Sequence, residues 1–133
     1  MKPLIPGNIL QRNCKRINNE YVHLEYLNMK KLIDFTVTEN KRLNHDTILL
    51  VLHSDELPEI QPGQFVNVRV DHSPSTFLRR PISVHDVDEA HGLLYLFIKI
   101  VGCGTSTLGD LQIGDKVNVM LPLGNHFSMA CFK

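Results

Sequence analysis

The chain has 133 residues, with 14 basic and 14 acidic side chains and a hydrophobic fraction of 43%. That length is enough for one domain with a packed core. The even charge balance argues against a nucleic-acid-binding surface over the whole domain, which would normally show a basic excess. No apolar run reaches the roughly 18 residues of a membrane span, and the N-terminus has no secretory signal pattern.

The cysteine pattern points to a reducing compartment. Cys14, Cys103 and Cys131 are far apart and odd in number, which is typical of neither a disulfide framework nor a metal knuckle. We therefore predict a cytoplasmic location and no metal site formed by cysteine. The seven histidines include no pair at helical metal-ligand spacing, so no metal ligands are assigned among them either.

Residues 1–30 differ from the rest of the chain. They are rich in asparagine, lysine and arginine, and their apolar positions follow no clear period. We predict an N-terminal extension outside the fold, irregular, partly helical or disordered. A basic arm that contacts RNA or a partner is the alternative, although Glu20 and Glu25 dilute its charge.

Residues 31–133 are predicted to form one β-domain. Ile33, Phe35 and Val37 alternate with polar residues, as in a half-buried strand. Five further strands are predicted over 46–53, 64–70, 82–87, 93–101 and 116–120, separated by turn signals. One short helix is predicted over 105–111, with Thr105 as its N-cap. This order favours an all-β antiparallel barrel or sandwich and contains no βαβ repeat of a doubly wound sheet.

The first candidate site begins at Arg80. Its planar guanidinium suits phosphate oxygens, and Pro81 interrupts ladder pairing and so makes room for a ligand. Ser83 lies three positions further on and points to the opposite face, unless a bulge at Pro81 brings both side chains to one ligand. Without a ligand, Arg80 would be a surface ion-pair residue and Ser83 would bond to backbone.

The second candidate site is the turn over Gly102–Thr107. Its glycines follow a strand and open a helix, so the backbone amides of Gly104, Thr105 and Ser106 can bind a phosphate. Thr107 stands where a dinucleotide fingerprint has its third glycine, and no second βαβ unit follows. A tight strand-to-helix connection without a ligand is the alternative.

The motifs together carry a resemblance. They are Arg80–Ser83, Gly102–Thr105 with Leu108 and Leu111, Gly114–Val117 and Leu121–Phe127. In this order and spacing, between residues 29 and 127, the chain resembles the FAD-binding domain of the ferredoxin reductase superfamily. Within that superfamily it is similar to the electron-transfer subunits of type B dihydroorotate dehydrogenase.

The resemblance implies a fold and a cofactor. The fold would be a six-stranded Greek-key barrel with one short helix, holding FAD across its outside. Arg80 would pair with the diphosphate, and Ile82 would supply aliphatic packing where the wider superfamily has an aromatic residue. No catalytic residue is implied. The implied cofactor-binding residues are Arg80, Pro81, Ile82, Ser83, Phe97, Ile98, Lys99, Gly104 and Thr105.

The resemblance also implies a function. The domain would pass electrons from dihydroorotate oxidation toward NAD in pyrimidine biosynthesis, beside a catalytic subunit with which the family forms heterotetramers. The family continues into an NAD domain and a [2Fe–2S] centre with four cysteine ligands, which three scattered cysteines cannot supply. We therefore expect a first domain that is not a complete catalyst alone. Two alternatives are another flavin-dependent reductase, in sulfur or hydrogen metabolism, and a flavin-free barrel that contacts RNA.

Overall fold

The computed structural model describes residues 30–125. The extension predicted for 1–30 therefore lies outside the described residues, apart from Lys30. The described elements, in chain order, are β1 (Lys31–Asn44), β2 (Thr47–His53), β3 (Phe65–Val68), β4 (Arg80–Asp88), β5 (Leu93–Lys99), α1 (Cys103–Gly109) and β6 (Lys116–Leu123). Within this part of the chain, no helix is long and apolar enough to cross a membrane.

The six strands form one closed antiparallel barrel in the order β1-β2-β5-β4-β3-β6. β2 pairs with β1 on one side and with β5 on the other, and not with β3, which follows it in sequence; this is a Greek-key connection. The predicted all-β barrel with one short helix is confirmed. Closure gives each strand a partner on both sides, which removes the exposed edges of an open sheet.

The core fills the barrel with aliphatic side chains from every second position. On β1 the inward residues are Ile33, Phe35 and Val37, as the alternation predicts. The other strands add residues in the same way, including Leu50, Leu52, Val66, Val68, Leu94, Leu96, Ile98, Val117, Val119 and Leu121. Burial of one such side chain contributes about 1.5–3 kcal/mol.

Helix α1 begins two residues earlier than the sequence predicts. Its N-cap is Gly102, and Thr105 is the third helical residue, so the predicted N-cap role of Thr105 is wrong. Thr105 Oγ1 instead accepts hydrogen bonds from the amides of Val101 (2.8 Å) and Gly102 (3.2 Å). The hydroxyl thus closes the turn that a glycine cap, lacking a side chain, cannot close.

The other end of α1 is held by β1. Asn40 Nδ2 donates to the carbonyl oxygens of Leu108 (3.2 Å), Gly109 (3.3 Å) and Leu111 (3.0 Å). Carbonyls at a helix C-terminus have no partner inside the helix, so one side chain satisfies several of them. This contact fixes the position of the helix on the barrel.

β4 and β5 separate at one end of the barrel. Their ladder pairs Val84 with Leu96 and continues from Asp86 to Asp88, with a register shift at His85. Residues 80–83 pair with β3 but not with β5, and residues 97–99 pair with β2 but not with β4. We call the space between these two segments the β4–β5 cleft.

Candidate functional site

The β4–β5 cleft brings together residues from three separate parts of the sequence. Residues 80–83 form one wall, residues 97–99 form the other, and α1 begins beside Arg80. A Cβ built on Gly104 would lie 3.1 Å from Arg80 Cδ and 3.4 Å from its Cγ. Arg80 and the glycine turn therefore adjoin one another, as a shared phosphate ligand requires.

The guanidinium of Arg80 has a buried nitrogen without a hydrogen-bond acceptor in the described chain. Its Nε is buried and makes no hydrogen bond among residues 30–125. An unsatisfied buried donor costs about 1–3 kcal/mol and is uncommon in native proteins. A ligand with acceptor oxygens would remove that cost, which makes Arg80 a candidate ligand-binding residue.

Arg79 has a different role from its neighbour. Its Nη1 donates to the carbonyl oxygens of Asn67 (3.4 Å) and Asn118 (3.2 Å), and its Nη2 donates to Asn118 Oδ1. These bonds tie the start of β4 to β3 and β6. The first arginine of the pair therefore links three strands, whereas the Nε of the second has no partner among the described residues.

The first turn of α1 offers three backbone donors. Ser106 N donates to Gly102 O at 2.9 Å, which is the first bond of the helix. The amides of Cys103, Gly104 and Thr105 precede that bond and have no acceptor within the helix. The Ser106 amide, predicted to bind a phosphate, is therefore already used within the helix, whereas the Cys103 amide has no acceptor there. The partial positive charge of the helix end favours an anion here.

Thr76 belongs to this site although the sequence gave no signal for it. It lies in the loop between β3 and β4 (residues 69–79), and its Cγ2 is 3.4 Å from a Cβ built on Gly104. Its amide donates to Ser73 O at 3.0 Å, and its hydroxyl accepts from Ser73 Oγ at 2.9 Å. The loop is thus folded back against the start of α1.

The two faces of β4 separate the predicted site residues. Ile82 pairs with Val66 and Pro81 with Asn67 without a register shift, so this ladder has no bulge at Pro81 that would bring Arg80 and Ser83 to one face. Ile82 shares the face of the buried Val66 and packs against the core. Ser83 is exposed on the opposite face. One face of the strand therefore cannot present both Arg80 and Ser83.

The strand edge explains how one ligand can reach both residues. Val84 N donates to Gln64 O on the β3 side at 3.4 Å. Successive residues of a strand direct their amides to opposite edges, so the Ser83 amide is directed into the cleft. Pro81, directed the same way, has no N–H to leave unpaired. A ligand lying along this edge meets Arg80 at one end and Ser83 at the other.

The β5 wall contributes two of its three predicted residues to the cleft. Phe97 is 50% exposed, and its ring lies 5.5 Å from the His85 ring, centroid to centroid. Lys99 is exposed and its Nζ lies 3.8 Å from Asp46 Oδ2. Ile98 is buried in the core between them. His85, which the shifted register brings beside Phe97, was not among the predicted site residues.

The comparison with known families shows which family this chain belongs to. Residues 34–127 match the family model described as the oxidoreductase FAD-binding domain. The chain belongs to this family. As a member it is an FAD-binding domain of the flavin electron-transfer class, and its residues fit the cofactor. A buried arginine donor without a partner in the described residues, and three amides without an acceptor inside their helix, are groups that suit a pyrophosphate.

Curated relatives of the FAD-binding domain are longer proteins. The electron-transfer subunit of dihydroorotate dehydrogenase B (NAD(+)) from Fusobacterium nucleatum is 35% identical over 100 residues, which covers 74% of this chain and 39% of the relative. The subunit of the same name from Bacillus caldolyticus is 38% identical over 95 residues, covering 71% and 37%. The chain thus spans less than two fifths of the length of these relatives.

Solved structures show the same fold in other redox proteins. An NADH-dependent reduced ferredoxin-NADP oxidoreductase has a TM-score of 0.64 at 29% identity, covering 71% of this chain and 34% of its own. A cytochrome P450 reductase from Amycolatopsis has a TM-score of 0.62 at 28% identity, covering 79% and 33%. The FAD-binding domain is therefore similar to parts of several electron-transfer proteins.

Proposed function

We propose that the β4–β5 cleft is the FAD site and that the domain serves as the electron-transfer component of a dihydroorotate dehydrogenase. The observation that carries the site is the buried Arg80 Nε, unpartnered within residues 30–125, next to the first turn of α1, whose amides have no acceptor within the helix. The names of the curated relatives support the second part. Residues 31–133 would form the flavin domain, and residues 1–30 would extend from it.

Arg80 and the amides of Cys103, Gly104 and Thr105 hold the diphosphate in this proposal. Bonds from a guanidinium to phosphate oxygens are charge-assisted and about twice as strong as neutral ones. The remaining predicted residues line the path of the ribityl chain and the ring. Phe97 and Lys99 contact it from one side, and Pro81 and Ser83 contact it from the other. Ile82 and Ile98 support these walls from the core side.

Bound FAD supplies the redox chemistry, and the protein supplies position and electrostatics. The Ser83 amide is directed into the cleft, and the Ser83 side chain is exposed on the outer face of β4. A hydrogen-bond donor beside a flavin ring stabilises the reduced form, which carries more negative charge. Ser83 would therefore raise the reduction potential of the bound flavin.

The larger assembly is part of the proposal. A dihydroorotate dehydrogenase catalytic subunit would be the partner and electron source. NAD would be the acceptor, bound by polypeptide other than residues 30–125, and the cytoplasm would be the location. The likeness to the ferredoxin-NADP oxidoreductase structure favours a second candidate, a flavin reductase with a different partner. Membership of an FAD-binding family weighs against the flavin-free RNA-binding alternative.

The FAD site is tested by combining a spectrum with a chemical footprint. We expect the purified protein to show flavin absorption bands, or to gain them when titrated with FAD. Cys103 is exposed on the first turn of α1, so bound FAD should slow its alkylation. The footprint is measured in a Cys14→Ser, Cys131→Ser background, where Cys103 is the one thiol left. Absence of any flavin binding would overturn the proposal, and flavin binding without protection of Cys103 would place it elsewhere.

The choice of partner needs a separate measurement. The FAD-loaded protein is mixed with a dihydroorotate dehydrogenase catalytic subunit from the same genome, and co-elution is followed by size-exclusion chromatography. Co-elution of the two proteins supports the dihydroorotate role. Failure to co-elute, with FAD still bound, would favour the second candidate reductase.

A further inference from the structure

His85 is a titratable residue at the end of the β4–β5 cleft. The register shift between Val84 and Asp86 falls at this residue, just beyond the ladder pair where the cleft begins. The His85 side chain is exposed, and its ring lies 5.5 Å from the Phe97 ring, with the two planes tilted by 38°. An imidazole therefore adjoins the aromatic residue that we assign to the flavin.

His85 also shares the outer face of β4 with Ser83. Both side chains are exposed, whereas Val84 between them packs against the core. Two residues along a strand span about 7 Å, so His85 is close to both walls of the cleft. A flavin ring that contacts Ser83 on one wall and Phe97 on the other would lie within reach of the charge on His85.

The surroundings of His85 contain other charged groups. Asp86 and Glu89 line one surface pocket of about 240 Å³ with His85, and the remaining lining of that pocket has no further charged side chain. On β5, Tyr95 pairs with Asp86, and Lys99 lies two residues beyond the ring that contacts His85. Among these residue types, histidine is the one whose charge ordinarily changes between pH 5 and 8.

A charge of this kind acts differently on the two redox states of a flavin. Reduced flavin carries more negative charge than oxidised flavin, so a protonated imidazole beside the ring favours the reduced state, and a neutral imidazole does not. Linkage makes the effect reciprocal, because reduced flavin must favour protonation of the imidazole to the same extent. The hydrogen-bond donor at Ser83 has no such dependence on pH.

We propose that His85 tunes the reduction potential of the bound FAD with pH, raising the potential when the imidazole is protonated. This inference rests on the proposed FAD site and adds a residue that lies outside the motifs that predicted the site. His85 touches Phe97 and acts on the cofactor through its charge. The binding of oxidised FAD to Arg80 and α1 does not depend on it.

The test compares reduction potentials across pH. The midpoint potential of bound FAD is measured between pH 5.5 and 8.5 by equilibration with redox dyes, for the wild type, His85→Gln and His85→Lys. At low pH we expect the wild type to favour reduced over oxidised FAD about three- to tenfold more than His85→Gln does, the scale of one partly screened charge. The two proteins should converge as the pH rises. His85→Lys should stay above His85→Gln throughout.

His91→Gln is the matched control, since His91 is also an exposed histidine but contacts Asp88, at 2.8 Å, at the other end of the β4–β5 ladder. It should follow the wild type. Equal potentials in wild type and His85→Gln, or a difference that is the same at every pH, would overturn the inference and leave the FAD site standing. So would a His85→Lys profile that matches His85→Gln, or a loss of pH dependence in His91→Gln. A wild type that binds no FAD would overturn the proposed function and this inference together.

Discussion

At the scale of single residues, two adjacent arginines show how burial and partners separate structural from functional side chains. Arg79 donates three hydrogen bonds to Asn67 and Asn118, whereas Arg80 has a buried Nε without an acceptor in the described chain. The sequence presents both as the same residue type at neighbouring positions. Only the contacts distinguish the arginine that ties the strands together from the one that we propose for FAD.

Substitution of each arginine by methionine should separate these roles. Arg80→Met should weaken FAD binding by about 1–3 kcal/mol, through loss of charge-assisted bonds. It should not lower the melting temperature of the FAD-free protein, because it removes an unsatisfied donor. Arg79→Met should lower that melting temperature and change FAD affinity far less. Thermal melts and FAD titrations measure both, and parallel effects in the two variants would contradict the assignment.

Gly104 tests the spacing between the helix and Arg80. Alanine favours a helix by about 1 kcal/mol over glycine, but at position 104 its Cβ would lie 3.1 Å from Arg80 Cδ. We expect Gly104→Ala to displace the guanidinium and to weaken FAD binding severalfold. Gly109→Ala is the matched control, because it makes the same change in the same helix but meets Ile100 at 3.2 Å instead. An equal loss of FAD affinity in both variants would argue against a steric effect on Arg80.

At the scale of elements, α1 depends on contacts at both of its ends. A helix of seven residues is not stable in isolation. Thr105 closes the turn at its N-terminus, and Asn40 satisfies the carbonyls at its C-terminus. Asn40 on β1 therefore helps to position the amides that we assign to the diphosphate, although it binds the opposite end of the helix.

Asn40 should affect FAD binding without touching the cofactor. Asn40→Ala loses three hydrogen bonds, so both FAD affinity and stability should fall. Asn40→Asp should be worse than alanine near neutral pH, because a carboxylate then faces three carbonyl oxygens. As the pH falls, protonation of the introduced carboxyl restores a donor, and Asn40→Asp should recover relative to Asn40→Ala. Titrations of FAD at several pH values measure this ratio, and a ratio that stays constant would contradict the positioning role.

The same elements show how far the sequence could predict the structure. The alternation of Ile33, Phe35 and Val37 predicted β1, but β1 continues to Asn44 as a polar hairpin with β2 that carries no inward pattern. The predicted start of the helix was two residues too late because threonine is a common N-cap residue, whereas the observed N-cap is Gly102. Local patterns of this kind fix the existence of elements better than their ends.

The site was predictable only in part, for a related reason. Arg80 and Gly104 could be identified from motifs within the chain. The β4–β5 cleft could not, because it depends on the register shift at His85 between two strands and on β5 pairing with β2. Thr76 lies beside Gly104 because of the path of a loop, which no sequence period encodes.

At the scale of the whole molecule, the position of the cleft depends on the closed barrel. The cleft lies where the β4–β5 ladder ends, at the pair of Val84 with Leu96. Leu96 is fully buried, so the last rung beside the cleft is anchored in the barrel core. Stability of the barrel and occupancy of the cleft should therefore be linked.

This linkage gives a quantitative expectation for Leu96→Ala. Removal of a buried leucine side chain should lower the free energy of unfolding by about 2–5 kcal/mol. A ligand that binds only the folded state restores about 2.7 kcal/mol at a hundred times its dissociation constant. Urea unfolding with and without excess FAD should thus recover a large part of the loss in Leu96→Ala. In the double variant Leu96→Ala, Arg80→Met, the same FAD concentration should recover clearly less, because its dissociation constant is higher. Equal recovery in the single and double variants would separate Arg80 from the FAD site and would contradict the arrangement proposed for the cleft.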